Sequence, residues 1–143
     1  MLVTEILKQK GDLVFSCSPQ ETMGQAASLL QSRGIGAMVV LDAKENVAGI
    51  ISERDIVRAV AQSGAASLTA PVASFMSTGI VYAEPHEALD VLMSRMTDRR
   101  IRHLPVCKDG KLVGVVSIGD LVKAKIAETV AEAEGLKAYI AQG

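Results

Sequence analysis

Gly49-Ile50-Ile51-Ser52-Glu53-Arg54-Asp55 and Gly114-Val115-Val116-Ser117-Ile118-Gly119-Asp120 are two copies of one phrase: a glycine, two apolar residues, a serine and an aspartate three residues on. An apolar run is the mark of a buried strand, and Ser-x-x-Asp is the mark of a capped helix start. The phrase therefore reads as a strand handing over to a helix, twice. The repetition extends outward. At an offset of 65, Val57 and Ala59 recur as Val122 and Ala124. Upstream, at an offset of 66, Pro19, Glu21, Ser28, Arg33, Ile35 and Val40 recur as Pro85, Glu87, Ser94, Arg99, Ile101 and Val106. The one-residue slip falls in the turn-like segment 42–46, where loops absorb indels. Self-similarity at a fixed period means one supersecondary unit built twice, and each unit is too small to bury its own apolar face. The two halves are expected to pack on each other.

Each half reads as an extended segment (13–17 or 80–83), a helix, two strands and a second helix. Ser18-Pro19-Gln20-Glu21 has the form of a capping box with proline at the first helical position, and Glu84 takes the serine's place in the second half. Met23, Ala26, Ala27, Leu29 and Leu30 share one helical face, and Gly34 stops that helix. Strands are expected at 37–41 and 47–51, with their counterparts ending at 112–116, joined as hairpins through 42–46 and 108–111. Ser52 and Ser117 cap second helices over 56–61 and from Leu121 into an alanine-rich stretch to residue 141. The link 62–79 reads as loop around a short helix at 72–76 that echoes 3–7. These readings divide the chain into repeat 1 with an N-terminal helix (1–66), repeat 2 with the linker (67–127) and a helical tail (128–143).

The 143 residues are 49% hydrophobic and 22% charged, an ordinary globular composition. Fifteen basic against sixteen acidic residues leave a formal charge of −1, so no positive field exists to gather nucleic acid or anionic lipid. The apolar runs are too short to span a bilayer and no charged segment followed by an apolar one opens the chain, so a cytoplasmic protein is expected. Cys17 and Cys107 sit in or beside apolar runs and read as small hydrophobes without a disulfide. No metal-ligand spacing, phosphate-loop motif or Gly-x-Gly-x-x-Gly is present, so neither catalysis nor a catalytic cofactor is expected.

A strand-to-helix junction offers free backbone N–H groups and a helix dipole to a phosphate. The serine can add a hydrogen bond, the aspartate can accept from ribose hydroxyls, and the preceding glycine would let a ligand approach. The alternative is a plain capped helix start, which a repeat would also duplicate. Ile35-Gly36-Ala37-Met38-Val39-Val40 and Ile101-Arg102-His103-Leu104-Pro105-Val106, each leading into one copy of the phrase, resemble a tandem pair of cystathionine-β-synthase (CBS) domains, and the likeness covers nearly the whole chain.

That resemblance implies an α/β (α+β) fold of two pseudo-symmetric β-α-β-β-α repeats packed sheet to sheet, as in stand-alone bacterial CBS-pair proteins. It also implies two clefts for adenine ligands (AMP first, then ADP, ATP, NAD(H) or S-adenosylmethionine) and a homodimer. Carried over by position, Asp120 would hold a ribose and Ser117 the phosphate or sugar, with the adenine against Ser16, Cys17, Ile35 and Gly36. In the other cleft Asp55 and Ser52 would act, with Tyr82, Ala83 and Ile101 lining the adenine pocket. Arg102, His103 and Arg54 would meet phosphate oxygens as cations. Gly36 and Ala37 stand at the equivalents of Arg102 and His103, so the clefts are expected to differ. The plainer readings are a solvated turn for Arg99, Arg100 and Arg102, a structural role for His103, and a surface position for His86. The function implied is a non-catalytic sensor whose ligand favours one arrangement of the repeats and thereby modulates a protein target. The rival is a dimerising scaffold that binds no nucleotide, using the apolar faces around 72–76 and the tail residues Leu136, Tyr139 and Ile140.

Overall fold

The computed structural model describes residues 1–11 and 14–142; Leu13, where the first extended segment was expected to begin, and Gly143, the end of the tail, lie outside them. Along the chain come α1 (Val3–Lys10), β1 (Ser16–Cys17), α2 (Met23–Arg33), β2 (Ala37–Leu41), β3 (Val47–Ser52) and α3 (Glu53–Ser63). Two 3-10 turns, Ala65–Thr69 and Val72–Ser74, fill the link. The second half has α4 (Leu89–Arg99), β4 (His103–Lys108), β5 (Lys111–Ser117) and the long α5 (Ile118–Gln142). The fold is thus mixed helix and strand, one unit built twice. In the first repeat β1 runs parallel to β2, which pairs antiparallel with β3. In the second, β4 and β5 form an antiparallel pair with the same register shift after Val106 that β2 shows after Val40.

The expected strand 80–83 shrinks to a single parallel bridge, Ala83 to Val106. Its cause is Pro105. Ala83 donates to the Pro105 carbonyl (2.9 Å) and accepts from Cys107 N–H (2.9 Å), so the next rung would need an N–H on residue 105, which proline lacks. Val39 stands there in the first repeat, and β1 forms a ladder.

Two caps differ from expectation. Thr22, not Ser18, caps α2: its hydroxyl accepts from Gln25 N–H (3.1 Å) and Gln25 Oε1 accepts from Thr22 N–H (2.9 Å), a complete capping box. Ser18 turns the chain instead, its hydroxyl accepting from Gln20 N–H at 3.1 Å. Helix α4 begins after Ala88 with no side-chain cap. Glu84 is not its cap; the Glu84 N–H is bound by Glu87 Oε1 (2.9 Å).

Backbone from elsewhere serves these helix starts. Leu89 N–H donates to the Met1 carbonyl (3.0 Å), while Val3 and Thr4 N–H donate to the Glu87 and Pro85 carbonyls (both 3.0 Å). The link mirrors this on the first repeat. Met23 N–H donates to the Ala70 carbonyl (2.9 Å), and Val72 and Ala73 N–H donate to Glu21 (2.8 Å) and Pro19 (3.0 Å). Each repeat's first long helix is thus docked by the segment that precedes the other repeat. The two cores follow the same exchange. Val3 and Ile6 of α1 are buried with Leu89, Leu92, Leu104 and Leu121 of the second half, and Val72 is buried with Met23, Leu30 and Ile51 of the first.

The repeated glycines serve this docking. A Cβ on Gly49 would lie 2.6 Å from Met76 Sδ and 2.9 Å from the Ser77 carbonyl oxygen, and one on Gly114 would lie 2.6 Å from Leu7 Cδ2. The closely approaching partner expected to be a ligand is therefore the chain itself. Gly49→Ala meets backbone and is expected to destabilise the fold by about 1–3 kcal/mol, whereas Gly114→Ala meets a side-chain tip that can rotate and costs less. Urea unfolding of the two variants checks the order.

Candidate functional site

Both copies of the phrase form the same local structure. Ser52 caps α3: its hydroxyl accepts from Asp55 N–H (3.2 Å), and Asp55 Oδ2 accepts from Ser52 N–H (2.9 Å) and from the Ser52 hydroxyl (2.9 Å). At the start of α5, Asp120 N–H donates to the Ser117 hydroxyl (3.1 Å) and Asp120 Oδ2 accepts from Ser117 N–H (2.9 Å). The helix starts are also tied to the neighbouring strands, through Glu53 N–H to the Gly36 carbonyl (3.0 Å) and Ile118 N–H to the Arg102 carbonyl (2.8 Å). The capping reading and the expected position of the aspartates are thus compatible, because one pair of side chains both caps the helix and stands at the cleft.

Two clefts lie between the repeats. The first, about 490 Å³, brings Ser52, Arg54 and Asp55 together with Ile101, Arg102 and His103. The second, about 310 Å³, brings Ser117 and Asp120 together with Ile35, Gly36 and His103. Gly36 and His103 line both, and a Cβ on Gly36 would stand 3.5 Å from His103 Cε1 and Nε2. Any side chain larger than a methyl group at 36 would press on the imidazole that divides the clefts.

Four expected adenine contacts lie elsewhere. Cys17 and Ala83 are core residues paired to Val40 and Val106, and Ser16 and Tyr82 do not line either cleft. The walls are instead made by Val14 and Phe15 in the second cleft and Ile80 and Val81 in the first. The displacement is two residues in each repeat and has one cause: strand pairing draws residues 17 and 83 into the sheet, and the chain reaches the cleft only before it pairs. Burial pushes the Cys17 thiol up to about 11, which agrees with an inert core cysteine.

Sequence reasoning missed three cations. Arg58 lines the first cleft with its Nη1 3.9 Å from Asp55 Oδ1, and its spacing of four from Arg54 on one helix was the available signal. Arg100, read as a solvated turn, lines the same cleft from a left-handed backbone (φ 54) where the first repeat has Gly34 (φ 64). Lys10 reaches the second cleft, its Nζ 2.6 Å from Asp120 Oδ2 and 2.7 Å from the Val115 carbonyl oxygen. Its position depends on α1 docking on the other repeat, so no local pattern announces it.

The charges respond to this arrangement. Burial alone would raise the Asp120 carboxyl, but hydrogen bonds from Lys10 and Ser117 outweigh it and hold the group below its ordinary value. Burial, helped by Lys10 and opposed by Asp120 and Glu53, lowers His103 below 6.5. His103 is therefore neutral at pH 7, a donor or acceptor for a ligand rather than the expected cation. Because its folded value lies below the unfolded one, the fold binds fewer protons. The stability carried by neutral His103 is complete above about pH 6.5 and is lost as the pH falls through the lower folded value. The melting temperature is expected to fall by a few degrees between pH 7 and 5.5, and less in His103→Gln, by calorimetry at both pH values.

Among the described residues no group of three or more His, Cys, Asp or Glu side chains could hold a metal, and no helix is long and apolar enough to cross a membrane. The CBS domain family model matches residues 11–62 and 72–127. The CBS domain-containing protein CBSX3, mitochondrial, of Arabidopsis thaliana is 34% identical over 149 residues, covering 99% of this chain and 72% of that protein. The crystal structure of the CBS-domain containing protein ATU1752 from Agrobacterium tumefaciens superposes with a TM-score of 0.85 at 44% identity, over 87% of this chain and 92% of that one. The CBS domain pair of protein MJ0100, solved with 5′-methylthioadenosine and S-adenosyl-L-methionine, shares the fold at 23% identity and a TM-score of 0.80, over 90% of this chain and 98% of that one. With both halves matched and the site formed where they meet, the chain belongs to the CBS-domain family as a tandem pair, a regulatory and not a catalytic module.

Proposed function

We propose that this CBS pair is a cytoplasmic, homodimeric sensor that binds adenine nucleotides in its two clefts, AMP first with NAD(H) and ATP in the same class, and modulates a protein target. The observation that carries the reading is the placement of Asp55 and Asp120, each held by a serine at a helix start and each lining a cleft that spans both repeats. A carboxylate so placed can accept from two ribose hydroxyls while the helix start favours a phosphate. Arg54, Arg58, Arg100 and Arg102 around the first cleft suit a ligand with several negative charges. Adenosine derivatives bound to the MJ0100 pair support the adenosine class. A ligand touching both repeats is bound most tightly in one relative arrangement, and a target that prefers that arrangement reads its concentration.

The homodimer is supported by the outer faces. Val57 on α3 and its repeat equivalent Val122 on α5 are 68% and 42% exposed, and Ile126, Leu136, Tyr139 and Ile140 continue exposed apolar surface along α5. A mass near twice the 15.1 kDa of the chain is expected by light scattering, and Ile126→Glu is expected to halve it.

Thermal unfolding with AMP, ADP, ATP, NAD, NADH and S-adenosylmethionine tests the nucleotide reading. The bound ligand is expected to raise the melting temperature, by an amount corresponding to about 2.7 kcal/mol at a hundredfold excess over Kd. Asp55→Ala and Asp120→Ala each also weaken a helix cap by about 1 kcal/mol, so each is compared with its own ligand-free midpoint. Loss of the ligand shift in one of them, with no nucleotide consumed, upholds the sensor. No shift with any of the six ligands, in protein free of copurified nucleotide, leaves the dimerising scaffold as the function.

A further inference from the structure

The two clefts obtain their positive charge from different parts of the chain. By the repeat offsets, the equivalents of Arg54, Arg100 and Arg102 around the second cleft are Gly119, Gly34 and Gly36, and the equivalent of Arg58, Lys123, does not line it. The deficit is met by α1. Just as Met76 packs over Gly49 in the first repeat, Leu7 packs over Gly114 in the second, and the same correspondence places Lys10 where the first cleft has Gly79. Lys10 is the one lysine or arginine side chain lining the second cleft among the described residues, beside the imidazole of His103.

It precedes the segment 11–62 matched by the family model. Its ammonium rests on Asp120 Oδ2 and the Val115 carbonyl, which occupy two of its three N–H donors. Ligand hydroxyls that take Asp120 must compete with this ion pair. A neutral nucleoside would break the pair and return nothing to the ammonium, whereas a phosphate beside the ribose offers it a new anionic partner.

We propose that Lys10 is the charge-reading residue of the second cleft: it rests on Asp120 in the free protein and moves to the ligand's phosphate when a ribose takes the carboxylate, so that the cleft selects phosphorylated nucleosides over neutral ones. The proposal rests on the nucleotide reading above.

Calorimetric titration of Asp55→Ala, which leaves the second cleft as the intact site, with 5′-AMP and with adenosine tests it. AMP is expected to bind about tenfold more tightly than adenosine, as one charge-assisted contact allows. Adding Lys10→Met is expected to bring the ratio to about one, by weakening AMP and strengthening adenosine, while Lys10→Arg keeps the preference. Equal affinities before Lys10 is changed, no binding of AMP, or a preference that survives in Lys10→Met overturns the role of Lys10. Failure of all six ligands to stabilise the parent protein overturns the nucleotide reading itself, so the two failures are told apart.

Discussion

The structure depends on an exchange of covering segments between its halves. A repeat of this size leaves one sheet face and one helix start unserved, and in this chain the missing cover for each comes from the segment preceding the other. Helix α1 supplies Val3, Ile6 and Leu7 to the second half, and the link supplies Val72, Phe75 and Met76 to the first. Among the described residues three backbone hydrogen bonds dock the α1 segment, and five dock the link, two of them exchanged between Ile50 and Ser77. Gly49 and Gly114 let the covering segments approach closely, Gly49 under the Ser77 backbone and the Met76 side chain, and Gly114 under the tip of Leu7. Burying apolar side chains in this exchange contributes on the order of 1.5–3 kcal/mol for each one fully removed from water, which neither half would obtain alone.

The same exchange makes the clefts. With each half covered by the other's leading segment, the starts of β2 and β4 are brought together, Gly36 lies against His103, and the space on either side is walled by both repeats. A molecule in either space touches elements of both halves, which is the geometric condition for a ligand to act on their relative arrangement. The symmetry of the backbone does not extend to charge. Arginines from α3 and from the turn after α4 surround the first cleft, while one lysine from α1 serves the second. Arg100 holds a left-handed backbone that glycine adopts freely at the equivalent position, a strain of about 1 kcal/mol retained where the guanidinium lines the cleft.

Much of the fold was legible because the interactions that specify it are local. The internal repeat, the strand-to-helix phrase, the Gly34 stop and the two Ser-x-x-Asp caps depend on backbone preferences and hydrogen bonds within a few residues, and the structure forms them. The longer loop between β2 and β3 is equally plain: the Asp42 side chain binds the N–H groups of Lys44 and Asn46, whereas Asp109 and Gly110 turn the second hairpin tightly with positive φ. The local reading failed where a partner from elsewhere satisfied the same need. Ser18 and Glu84 had the form of caps, yet α2 and α4 start later, at points where Ala70 and Met1 supply carbonyls to their first N–H groups.

Sequence alone determined that one α/β unit is built twice and that each copy sets a serine and an aspartate at a helix start, because periodicity, capping and repetition are properties of neighbours along the chain. The tertiary structure decided that residues 14–15 and 80–81 wall the clefts in place of 16–17 and 82–83, that His103 is neutral, and that Lys10 meets Asp120. Those outcomes follow from the strand pairing of Cys17 and Ala83, from burial, and from a helix docked across 110 residues of sequence, each set by groups that only the folded chain brings together.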